Sequence, residues 1–211
     1  VPAAGDLLGV YGAYNGESHG TGTSSTAAGN PVGVYTGDLD IYGQAPSATV
    51  ISVEMFKPGA TIDDAWYFAV ERPDGAPATG DEAHISSNSW GWVDLPESGW
   101  EFESRFKYWL NTDYAPGTIF VQSTGNEGQG YATESSPTAP TSVQVGAGVS
   151  ADIYWLFQLI GALPGGGGGA QHEWPFDTGA LGPGPYGDIA PFSSRGPNAL
   201  GQPGPDILAI G

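Results

Sequence analysis

Four short segments carry residue types suited to acid–base, hydrogen-bonding or backbone-pairing chemistry. The first is Glu17-Ser-His-Gly-Thr-Gly-Thr-Ser-Ser-Thr-Ala-Ala-Gly29, in which His19 precedes a run of small residues. Gly20 and Gly22 suit a helix start where an imidazole faces a cleft and other backbone comes close. The second, Ile85-Ser-Ser-Asn-Ser-Trp-Gly91, stands at the end of a predicted strand, and its small residues leave backbone free to pair with an extended peptide. In the third, Val121-Gln-Ser-Thr-Gly-Asn-Glu-Gly128, an amide side chain stands between glycines at a strand end. There Asn126 can donate a hydrogen bond to an oxygen that gains negative charge. The fourth is Pro191-Phe-Ser-Ser-Arg-Gly-Pro197, followed by Pro205-Asp-Ile-Leu-Ala-Ile-Gly211. Taken singly, each has a plainer meaning: a surface or capping histidine, a strand that ends in a turn, an asparagine chosen for turn geometry.

The elements that must position these segments alternate between two periods. Val50 to Phe56 is β-branched and apolar, and His84 to Trp90, Thr118 to Ser123 and Ser142 to Gly146 read as further strands. Between them, Thr61 to Glu71 predicts a helix, with Thr61 and Asp64 spaced as a capping box and Ile62, Ala65, Trp66, Ala69 and Val70 on one face. A second helix is predicted over Glu101 to Leu110, with Phe102, Phe106, Trp109 and Leu110 facing inward. The pairs Glu101/Arg105 and Glu103/Lys107 then fall on the solvent side. Strands alternating with helices predict an α/β fold, a mostly parallel sheet flanked by helices in three layers.

Composition narrows the functions. The chain has 211 residues, no cysteine, 35 Gly and 18 Pro, which excludes coiled coils and simple helical bundles. Five Lys and Arg stand against 23 Asp and Glu, a net charge of −18, so nucleic acid is not an expected partner. Charged residues are only 13% of the chain, so the acidity reflects missing cations, as suits an extracellular protein in acidic surroundings. The longest apolar run, Ile153 to Leu163, is too short to span a bilayer. With five consecutive glycines at 165–169, the stretch at about 151–187 reads as an insertion in a single domain.

In their order along the chain, the four segments, with Gly43-Gln-Ala-Pro-Ser-Ala-Thr-Val50 between the first two, resemble the subtilisin-like serine peptidases, the subtilase family. The resemblance runs from about Gly16 to Gly211. It implies that His19 is the general base of an acyl-transfer mechanism and that Asn126 is the side-chain donor of the oxyanion hole. It also implies that Ser89, Trp90 and Gly91 form one wall of the substrate cleft and Ser123, Thr124 and Gly125 the other side of the P1 pocket. In the family these backbones pair with the substrate as added strands.

The family order is Asp, His, Ser. Asp6 lies only thirteen residues before His19 and lacks the family's setting for the acid, while Ser193 and Ser194 belong to a motif that is structural in the family. The catalytic aspartate and serine are therefore expected outside these residues. The chain is expected to be the central part of a secreted or cell-surface endopeptidase, either a portion of it or a nicked piece held by the remaining segments. Isolated, it is expected to be inactive. A degenerate homologue fits less well, because His19 and Asn126 keep their motif context. No cofactor is needed for such chemistry. Structural calcium is possible, but Asp38/Asp40, Asp63/Asp64 and Asp81/Glu82 form no recognisable loop and no metal ligand can be assigned. The competing class is a non-catalytic subtilase-like module for extracellular binding or for surface or filament assembly.

Overall fold

The structure is a computed structural model that describes residues 19–30, 42–53, 59–92, 98–128, 130–148, 189–190 and 192–210. The glycine-rich stretch at 151–187 and Asp6 lie outside the described residues. The chain forms two compact units, Val1–Pro58 and Gly59–Gly211.

In the first unit, helix α1 spans His19–Ala28. A helix leaves its last carbonyls without intrahelical donors, and here the Gly-Gln-Ala-Pro turn supplies them. Gln44 and Ala45 N–H groups donate to the carbonyls of Thr26 (3.0 Å) and Ala27 (2.8 Å), and Gly43 N–H donates to Gly29 (2.8 Å). The approach leaves no room for a side chain, since a Cβ on Gly43 would overlap the Gly29 nitrogen. The predicted strand at Val50 to Phe56 is not formed at residues 50–53, and 54–56 lie outside the described residues. Val50 and Val53 remain exposed.

The second unit holds α2 (Ile62–Glu71), β1 (Ile85–Asn88), α3 (Phe102–Trp109), β2 (Ile119–Ser123), β3 (Val143–Gly148) and β4 (Ile207–Ile210). The strands lie in the order β1-β2-β3-β4 and every neighbouring pair is parallel, in register at Ile85/Ile119, Val121/Val143 and Val145/Ile207. The predicted α/β fold with a parallel sheet is the one observed. Thr61 caps α2 through a hydrogen bond from Asp64 N–H to its hydroxyl (3.1 Å). Trp66 and Val70 then meet Leu110, Ala115 and Phe120 in the core. Burying each large side chain of this kind contributes roughly 1.5–3 kcal/mol.

Helix α3 corrects the predicted orientation in part, since Leu110 is buried and Phe106 packs on the core as expected. Its buried positions are Ser104 and Lys107, continued by Leu110, whereas Phe102 is 54% exposed and Trp109 37%. The expected Glu103/Lys107 surface pair is not made, because Lys107 is fully buried. The physical reason lies in what each stripe finds. Phe102, Phe106 and Trp109 stack along the helix at centroid distances of 5.7 and 5.8 Å, and Tyr67 of α2 packs edge-on to Phe106 and Trp109. The lysine amine meanwhile meets polar acceptors beneath the helix. The helix then widens into a π turn over Leu110–Tyr114, closed by Ala115 N–H donating to Leu110 C=O (2.7 Å).

Candidate active site

In the second unit, two predicted segments leave the sheet side by side. Since β1 and β2 are parallel, with Asn88 opposite Gln122, their carboxyl ends deliver Ser89-Trp90-Gly91 and Ser123-Thr124-Gly125 at the same edge. That is the edge where open parallel sheets bind ligands. Asn88 holds the first segment in place. Its carbonyl accepts from the indole N–H groups of Trp66 (3.0 Å) and Trp90 (3.3 Å), and its amide donates across the sheet to Val121 C=O (3.2 Å). Trp92 N–H donates to Ser136 C=O (2.7 Å), so the chain at 135–136 runs alongside the first segment.

The second segment turns at Gly125 (φ +103°) and Gly128 (φ +90°), in the left-handed region that favours glycine. Asn126, exposed, stands between them. Two hydroxyls clasp this turn from beneath. Ser135 and Ser194 each donate to Glu127 Oε2 at 2.7 Å, and Glu127 N–H donates back to Ser194 Oγ (2.9 Å). Backbone bonds lock the same region: Ser135 N–H to Thr124 C=O (2.8 Å), Ser194 N–H to Gly125 C=O (3.1 Å) and Gly128 N–H to Phe192 C=O (2.9 Å). The backbone of the turn is thus fixed, and it carries the amide of Asn126 as an exposed donor.

Ser135 also occupies the space between the two segments. A Cβ on Gly91 would lie 3.1 Å from Ser135 Cβ and 3.0 Å from Ser136 C=O, and one on Gly125 would overlap Ser135 Oγ. Sequence reasoning passed over Ser135, Glu127 and Gln122. A polar residue at Gln122 inside an apolar strand was the available signal for the last of these.

Ser193 and Ser194 are fully buried. Ser193 Oγ accepts from Ala147 N–H (3.0 Å) while Ser194 serves the Asn126 turn, so neither is presented as a nucleophile. His19, in the first unit, is the first residue of α1 and is exposed. Among the described residues, no cluster of three or more His, Cys, Asp or Glu forms a metal site, and no helix is long and apolar enough to cross a membrane.

Two ionisable groups of the second unit are strongly shifted. Burial lowers the Lys107 amine to about 7, against the opposing pull of Glu101. Burial, reinforced by Asp206, raises the Glu134 carboxyl to about 7, and its Oε1 has no hydrogen-bond partner.

Comparison with known proteins matches residues 6–211 to the model of the subtilase family. No curated protein matches the chain. Among solved structures, Sphericase superimposes with a TM-score of 0.54 at 22% identity, covering 89% of this chain and 50% of its own. The chain thus spans about half the length of that neighbour. The match over nearly all of its residues, on a parallel sheet whose strand ends carry the motifs, makes this chain a member of the subtilase family.

Proposed function

We propose that the chain is the central part of a secreted serine endopeptidase that cleaves extended peptide or protein substrates through an acyl-enzyme. The observation that carries this reading is the clasped turn Gly125–Gly128, which presents Asn126 beside two parallel-strand ends. In this mechanism a serine outside these 211 residues attacks the peptide carbonyl. His19 takes its proton and returns it to the leaving amine, and an aspartate, also outside these residues, orients the imidazole. Asn126 and backbone N–H groups hold the oxyanion. Ser89-Trp90-Gly91 and Ser123-Thr124-Gly125 flank the substrate and pair with its backbone. No acidic or basic side chain lies in the second of these segments, which favours an uncharged P1 residue.

Steady-state hydrolysis by the full-length protein and its Asn126→Leu variant tests this reading. The expected result is a kcat lower by about 10²–10³ at nearly constant KM, the magnitude known for loss of such a donor in a subtilisin. Unchanged kcat in the variant excludes Asn126 as the donor. A folded parent that hydrolyses no peptide favours a binding module instead.

A further inference from the structure

Lys107 is one of five cations in a chain of net charge −18, yet none of it reaches the surface. Burying an amine carries a large desolvation cost unless its donors are used. Here they are used: Nζ donates to Gln122 Oε1 at 2.7 Å and to Pro137 C=O at 3.3 Å, and it lies 5.0 Å from the centre of the Trp66 ring. The indole face attracts a cation at that distance. Glu101 is the acidic group that acts on it from the start of its own helix.

The second half of the contact points to the strand ends. Gln122 turns its amide N–H toward the opposite segment and donates to Trp90 C=O. Because Lys107 occupies Gln122 Oε1, the amide has one orientation available, with its NH₂ group on Trp90. Trp90 in turn lies 5.8 Å from Trp66, the ring that Lys107 faces. Helix α3, the end of β2 and the chain at Pro137 therefore meet at one buried amine, and Gln122 links the segment after β1 to it.

We propose that Lys107 is a positioning residue that sets the separation of the two cleft segments, Ser89-Trp90-Gly91 and Ser123-Thr124-Gly125, by orienting Gln122 onto the Trp90 carbonyl. The proposal rests on the peptidase reading above. Lys107 touches neither substrate nor reacting atoms. Its effect falls on the alignment of an extended peptide between two backbones, and therefore on peptide binding more than on attack at a small electrophile.

Lys107→Met and Gln122→Met in the full-length protein test it, each measured by hydrolysis of a peptide spanning several residues on both sides of the scissile bond and by the labelling rate with a small fluorophosphonate. The first variant removes the donor and the second removes the link to Trp90 while keeping the lysine. The expected result in both is a KM raised about tenfold, with kcat and the labelling rate within about twofold of the parent. Unchanged KM in both variants overturns the proposal. So does an equal loss of labelling and peptide hydrolysis, which is what general damage to the fold produces. A folded parent that neither labels nor hydrolyses peptide removes the peptidase reading itself, a distinct outcome.

Discussion

Glu134 sits 6% exposed against Gly204, with Asp206 nearby, and holds its proton to about pH 7 because both burial and the second carboxyl disfavour its charge. The sign of the consequence follows from linkage. The folded carboxyl binds a proton more tightly than the unfolded glutamate, so its stabilisation is complete below about 4.5, the ordinary value, and is lost as pH rises through about 7. Glu134→Gln is expected to remove a stability loss on the order of 2–3 kcal/mol across that window, read as the pH dependence of the urea midpoint. An unaltered pH profile contradicts the assignment. At this scale the sequence was least informative. Lys107 was read as a solvent-side partner of Glu103, because charge spacing on a helix reports which residues are neighbours and not which stripe faces inward. The acceptors that draw it in, Gln122 and Pro137, lie 15 and 30 residues away.

At the scale of elements, the helices and strands of the second unit were legible because period and punctuation agreed. Predicted Thr61 to Glu71 became Ile62–Glu71 with Thr61 as its cap, and predicted Thr118 to Ser123 became Ile119–Ser123. Helix α3 was found, with its inner stripe only partly as expected. Leu110 and Phe106 face the core as expected, Phe106 stacking on Trp66, whereas Phe102 and Trp109 find their partners along the helix and on Tyr67. Strand β4 was visible only as a motif, since Ile207–Ile210 is too short to show alternation. The Gly125 turn was readable from its glycines, but the hydroxyls beneath it come from residues 135 and 194 and had no local signal. Gly125→Ala places a Cβ on Ser135 Oγ at a φ of +103°. The expected effect is a loss of at least about 2 kcal/mol, visible as a lower Tm together with reduced peptide hydrolysis. A variant with the parent's Tm and activity contradicts the clasped turn.

For the molecule as a whole, parallel strands bring two motifs far apart in sequence to one sheet edge, and the resemblance of all the motifs together carried more than any one of them. Family membership rests on residues 6–211, whereas the proposed mechanism also calls on a serine and an aspartate, so the decisive measurement belongs to the full-length protein. A fluorophosphonate probe reacts only with a serine activated by a nearby base. Labelling of the folded full-length protein that is abolished by His19→Ala, with the variant's circular dichroism unchanged, is the expected result. No labelling of the folded parent, or labelling that persists in His19→Ala, contradicts the assignment of this chain to a working serine peptidase with His19 as its base.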